Sequence, residues 1–276
     1  MPVLDAHTHL FPPEIIAGRD RIAAREPGFA AIYGDRKSRM VDAAGLAAYM
    51  EAEGIDRVIA ACFPFSDGGL IRLANDYVIE AARSDRRIVP FIVTDRQNEA
   101  DAVAEAQRCA DRGARGVGEM AWYERTFDEA EEKRMEGLAD YLERAGMVFM
   151  MHLNEQVGHA YPGKGRADFA EVVRLVRNHP ALKVLLAHMG GGLCFYELMP
   201  EIRKSFARVY YDLAAVPFLY SDALYSYAAH FLTDKVVFGS DYPLLGLRRY
   251  RAAIEALGLE AAGKILWENG VRLLGD

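Results

Sequence analysis

Val3-Leu4-Asp5-Ala6-His7-Thr8-His9-Leu10 is the stretch on which the reading of this chain turns. An apolar run opens it and two histidines close it. Alternate residues of a strand point the same way, so His7 and His9 are expected to face one side together. Asp5 should share that side, one layer deeper, as a partner for a ligand. A Gly-rich phosphate turn is what an open, doubly wound nucleotide-binding sheet would place after its first strand. Here His-Thr-His-Leu stands in that position.

Seven more short apolar runs follow: Ile55–Cys62, Ile88–Val93, Arg115–Met120, Val148–His152, Lys183–His188, Val209–Leu213 and Lys235–Gly239. Each reads as a buried parallel strand, continuous rather than alternating in hydrophobicity. Stretches of helical period separate them. Asp42 is placed to cap a helix carrying Leu46, Tyr49 and Met50, which should end near Gly54. Leu70–Arg83, Glu99–Arg112, Glu131–Ala145, Ala167–Asn178, Glu197–Phe206 and Tyr220–Phe231 read similarly, and the tail closes with Arg249–Leu257 and Glu260–Leu274. Eight β-then-α units predict an α/β protein, a (β/α)8 TIM barrel, as a single domain over residues 1–276. Phe11–Val41 reads as a long irregular connection, and such loops are often lids or binding loops.

Composition sets the outer limits. Hydrophobic residues make up 51% of the chain and charged residues 26%, which suits a large core and not a disordered chain. The net charge of -7 argues against nucleic acid or an anionic membrane surface as partner. Cys62, Cys109 and Cys194 are odd in number and form no CxxC pair, so no disulfide framework is expected. No signal peptide and no membrane span is read, and a cytoplasmic location is the expectation. The partner expected is a small-molecule substrate, with room for a homodimer.

Chemistry-bearing side chains gather at the strand ends. His7 and His9 end the first run, Glu119 the fourth, His152 the fifth, His188 the sixth and Asp241 follows the eighth. Active sites of such barrels lie at the C-terminal ends of the strands. Burying these groups without partners would cost several kcal/mol each, about 2–7 for a polar group and more for a charge. Imidazoles and a carboxylate suit a divalent ion, zinc first, with manganese or iron as alternatives. One ion is favoured. Its chemistry would be activation of a water at neutral pH.

Four segments resemble the amidohydrolase superfamily. They are Asp5-Ala6-His7-Thr8-His9-Leu10-Phe11-Pro12, His152, Ala187-His188-Met189-Gly190-Gly191-Gly192 and Phe238-Gly239-Ser240-Asp241-Tyr242-Pro243, with Glu268–Leu274 as a matching closing helix. The pattern is most similar to the amidohydrolase-2 branch, which includes aminocarboxymuconate-semialdehyde decarboxylase. The resemblance implies that His7, His9, His152 and Asp241 hold the metal. It implies that Asp241 also accepts a proton from the metal's water and that His188 stabilises, or exchanges a proton with, the reacting group. Glu119 departs from the single-metal pattern. It could bridge a second ion, contact substrate or orient a ligand.

Around this set, His159, Tyr161 and Lys164 in the loop after His152, Trp122 after Glu119, and Arg248 after the eighth strand are the candidate substrate contacts. His179 and His230 lie before strands, at the wrong end for the site. Two reactions remain open. The first is metal-dependent hydrolysis of an amide, ester or lactone; the second is non-oxidative decarboxylation of an aromatic or unsaturated acid. A non-catalytic metal-binding barrel is the reading from another class.

Overall fold

The eight apolar runs become eight parallel strands in a computed structural model that describes residues 1–276. They are β1 (Leu4–His9), β2 (Arg57–Ala61), β3 (Ile88–Ile92), β4 (Gly116–Met120), β5 (Val148–Met151), β6 (Lys183–Leu186), β7 (Val209–Asp212) and β8 (Val236–Val237). Each pairs with its neighbour in chain order. The sheet then closes on itself. Phe238 O accepts from Ala6 N at 2.7 Å, His7 O from Asp241 N at 2.9 Å and Tyr242 O from His9 N at 2.7 Å. The result is the expected α/β barrel, in one domain.

Alternation along the strands divides the core in two. Ala6, Ile59, Phe91, Met150, Leu185 and Val237 belong to a small buried cluster inside the barrel. A much larger cluster, with Val58, Ile92, Val117, Phe149 and Val184 among its members, lies between the strands and the helices. The helices follow the predicted pattern. The Asp42 side chain accepts from Gly45 N and caps Ala43–Glu53, which ends at Gly54. Asp128 and Asp168 cap Glu129–Ala145 and Phe169–Asn178 in the same way. No helix is long and apolar enough to cross a membrane.

Three expectations are corrected. Phe11–Val41 is not irregular: it holds three short helices, Pro13–Ala17, Arg19–Ala23 and Pro27–Tyr33. Pro13 and Pro27 start two of them, at the position where a missing N–H costs nothing. Their buried Ile15, Ile22 and Phe29 anchor the segment to the barrel. The second correction concerns Glu197–Phe206, of which only Pro200–Ser205 is α-helical. The preceding His188–Gly192 has positive φ at every residue, from 55° to 94°, which no right-handed α-helix accepts.

The third correction is Asp5. Asp5 lies opposite Val58 and Thr8 opposite Ala60, so β1 has one residue more than β2 across the same interval. This bulge breaks the alternation. Asp5 therefore turns towards the helix layer, where it accepts the Tyr49 hydroxyl at 2.8 Å and the backbone N–H of Ser240 at 2.9 Å. Burial pushes its carboxyl up to about 6, against the hydrogen bonds that favour its charge. It positions backbone, and no ligand side chain.

Candidate metal centre

At the C-terminal rim of the barrel the six strand-end groups form two adjoining sets. In the first, His7 Nε2 and His9 Nε2 are 3.2 Å apart. Asp241 Oδ1 lies 3.0 Å from His9 Nε2 and 3.8 Å from His7 Nε2. In the second, His152 Nδ1 lies 2.8 Å from Glu119 Oε1 and 3.1 Å from His188 Nε2, which is 3.3 Å from the same Glu119 oxygen. Glu119 joins the sets: its Oε2 is 3.6 Å from His7 Nε2 and 3.7 Å from His9 Nε2. The structure thus places His152 with Glu119 and His188.

Hydrogen bonds at the outer edge of the His7, His152 and His188 rings decide which nitrogen faces inward. His188 Nδ1 meets the Ala214 carbonyl at 3.0 Å, and His152 Nε2 meets the Gly163 carbonyl at 3.0 Å. A carbonyl only accepts, so those nitrogens carry the protons. His7 Nδ1 likewise faces the Asp212 carboxylate at 2.9 Å. The inner nitrogens are left as lone pairs, directed at one another and at two carboxylates. Such an arrangement is repulsive unless a positive charge stands within it.

Protons can supply that charge. Burial alone would lower the His188 imidazole, but Glu119 and Asp241 outweigh it and push it up to about 9. Against the same burial, Glu119 and Asp212 hold His7 well above its ordinary value. Burial would raise the Glu119 carboxyl, yet His152 and His7 hold it far below the usual carboxylate range. Asp241 is lowered too, by His9 and His7 against its burial.

A divalent ion fits the same place. Donor atoms bonded to one zinc-like ion at about 2.0–2.2 Å stand roughly 3–3.5 Å from one another. The 3.0–3.8 Å separations of His7, His9 and Asp241 lie within about 0.3 Å of this range, as do the 2.8–3.3 Å separations of the second set. The acceptors behind His7, His152 and His188 set ring orientation and tautomer, as is usual for imidazole ligands.

Asp212 was not singled out in the sequence, although it ends β7 as polar groups end other strands. It is fully buried. Besides His7 it accepts the backbone N–H groups of His188 at 2.8 Å and Ala214 at 3.0 Å. The close approach at β4 depends on Gly118, where φ is 137° and a Cβ would collide with the Met150 carbonyl and side chain. Gly191, at φ 59°, lets the turn after His188 press on the Asn154 backbone in the same way.

A cavity of about 660 Å³ opens over these groups. His9, Glu119, His152, His188 and Asp241 form its floor. Tyr33, Phe63, Tyr123, Tyr161, His159 and Phe218 line its walls, and Lys37 and Arg39 stand at the mouth. Phe63 and Tyr123 are stacked, with centroids 5.5 Å apart. The Arg39 guanidinium lies 5.7 Å above the Tyr242 ring.

Three of the expected substrate contacts do not reach this cavity. Trp122 is buried behind the wall, donating from Nε1 to Glu131 at 2.9 Å. Lys164 turns back on its own loop and donates to the carbonyls of Val157 and His159. Arg248 is on the outer surface, its side chain 85% exposed beside Glu53. Arg39 carries no local signal of its place, because it lies in the segment read as a loop and meets the strand-end groups and Tyr242 only through the fold.

The amidohydrolase family model matches residues 4–275. The chain belongs to the amidohydrolase family. No curated protein matches this amidohydrolase in sequence. Among solved structures it is similar to 5-carboxyvanillate decarboxylase from Sphingomonas paucimobilis, with a TM-score of 0.79, 17% identity and 99% of each chain covered. The 2,6-dihydroxybenzoate decarboxylase from Rhizobium gives a TM-score of 0.72 at 17% identity, over 100% of this chain and 99% of that one. A 5-carboxyvanillate decarboxylase from Novosphingobium aromaticivorans was solved with manganese and 4-hydroxy-3-methoxy-5-nitrobenzoic acid. It gives a TM-score of 0.77 at 17% identity, over 100% of this chain and 96% of that one. At such identities the likeness is one of fold.

Proposed function

We propose that this amidohydrolase is a metal-dependent enzyme that decarboxylates a hydroxy-substituted aromatic acid without oxidation. One observation carries the reading: the inward-facing donor set lies under an aromatic cavity with a basic mouth. The decarboxylase neighbours, one of them with manganese and a nitrobenzoic acid, support it. They also put manganese beside zinc as the ion to test.

A divalent ion at His7, His9 and Asp241 would supply a Lewis acid for the oxygens of the substrate. The chain's own residues do the rest. Phe63 and Tyr123 stack against the ring. Arg39 and Lys37 draw the anionic acid into the cavity. His188, with its imidazole pushed up to about 9, holds a proton at neutral pH beside Glu119. It passes that proton to the ring carbon bearing the carboxylate. The carbon–carbon bond then breaks, its electron pair restores the aromatic ring, and CO2 leaves. Glu119 steadies His188 until it takes up a proton again.

Hydrolysis of an amide, ester or lactone is the second reading, and Glu119 favours it. Its two oxygens face the two donor sets, so an ion in each could share it. Asp241 would then accept the proton of the attacking water, and His188 would steady the oxyanion. Ion count separates the readings, because an ion in the second set takes the place of the proton on His188.

The test offers manganese- and zinc-loaded protein a panel of hydroxybenzoates and, in parallel, lactones, esters and amides. CO2 release from the acids is the expected result. Hydrolysis of the other compounds, with no CO2 from any acid, overturns the first reading in favour of the second.

A further inference from the structure

A third cluster of donors lies at the opposite rim, where the helix Glu129–Ala145 and the turn before β6 meet. We propose that Asp140, Glu143 and His179 form a second metal site, for zinc or a similar transition ion, with a structural role. The ligand atoms lie within 4.8 Å of one another. His179 Nδ1 is 3.3 Å from Asp140 Oδ1 and 3.9 Å from Glu143 Oε2.

The decisive observation is the histidine. Its side chain is 3% exposed, and neither of its ring nitrogens makes a hydrogen bond. A buried imidazole without partners costs free energy, and such a group in a native protein calls for a water or an ion. Nδ1 is nonetheless directed at two carboxylates, out of hydrogen-bonding alignment with them. An ion between the three groups gives it a bond.

The carboxylates point the same way. Asp140 and Glu143 are three residues apart and so share one helix face. They occupy the last two turns of their helix, where the macrodipole disfavours anions. Neither pairs with an arginine or lysine; the His179 imidazole is the one side-chain partner each of them meets. The Ala181 N–H holds Glu143 Oε1 at 2.5 Å and leaves Oε2 facing His179. The Asp140 side chain is 50% exposed, so an ion can arrive from solvent and keep water in its remaining position. One imidazole and two carboxylates suit zinc better than calcium or magnesium, which take oxygen alone. The 3.3 Å separation of Asp140 already matches tetrahedral spacing, and the 3.9 Å separation of Glu143 needs its free Oε2 to move about half an ångström closer. The ion would tie the helix end to the start of β6.

The test is metal content. The metal-loaded enzyme is dialysed to equilibrium against micromolar Zn2+, and zinc per chain is measured by mass spectrometry. Three proteins are compared: the natural chain, His179→Ala, and the surface double variant Asp140→Asn with Glu143→Gln, which leaves the buried imidazole in place. Both variants should hold one ion fewer per chain and lose part of the zinc-dependent rise in Tm. Turnover at the barrel's other rim should stay unchanged. Equal zinc content in the natural chain and the double variant would overturn the proposal and leave a plain imidazole–carboxylate cluster.

Discussion

Asp212 accepts the Nδ1 proton of His7 at 2.9 Å through one oxygen and the backbone N–H of His188 at 2.8 Å through the other. A single buried carboxylate thus orients one imidazole of the first donor set and fixes the backbone of one in the second. Asp212→Asn keeps the shape but removes the charge, and its amide can offer the wrong partner to His7. Metal affinity should fall by about 10–100-fold, the usual cost of losing such a partner. Titration with Mn2+ or Zn2+ reads this directly, and unchanged affinity would contradict the orienting role.

The acid role of His188 predicts a pH dependence with a definite sign. In the metal-free protein its value is raised from 6.5 to about 9, and an ion on Asp241 lowers that limit, so the protonated form is lost at or below about 9 as pH rises. Decarboxylation should therefore decline on the alkaline side as His188 loses its proton. His188→Ala should lower turnover by about 10²–10⁴-fold, the range for a general acid, and abolish that limb. An alkaline limb that persists in the variant assigns it to another group.

Arg39 meets no carboxylate of this chain and stands at the cavity mouth. Arg39→Ala should raise KM for an acid substrate about tenfold or more, since hydrogen bonds to charged groups contribute roughly 1.5–3 kcal/mol. The change in kcat should be smaller, and Arg39→Lys should restore part of the loss. An equal fall in kcat with KM unchanged would place Arg39 elsewhere in the cycle.

Gly118 links packing to chemistry. With φ at 137° and the Met150 backbone against it, any Cβ must displace the strand that carries Glu119. Gly118→Ala should destabilise the fold by about 1–3 kcal/mol, the range for overpacking. It should also reduce turnover by more than the folded fraction accounts for. Denaturant unfolding and turnover per folded molecule, measured together, check both halves.

The barrel was legible because each strand is a local pattern: a short apolar run, a helical stretch, then another run. The same regularity exposed His7, His9, Glu119, His152, His188 and Asp241, since each closes or follows such a run. Asp212 obeys the same rule at the end of β7. Arg39 had no such signal. Trp122, Lys164 and Arg248 were near site residues in the chain, and each is held by a partner that only folding supplies: Glu131, the loop carbonyls and Glu53.

What the amino-acid order determined alone was the alternation of buried and helical segments, and with it the closed parallel sheet and the rim where polar groups collect. Periodicity is a property of neighbours, so it survives without any knowledge of space. The grouping of donors into two sets joined by Glu119, the outward turn of Asp5 and the basic mouth were decided by tertiary structure. Each depends on a bulge, on ring edges meeting distant carbonyls, or on segments a hundred residues apart. Such contacts are set by packing, and no local pattern encodes them.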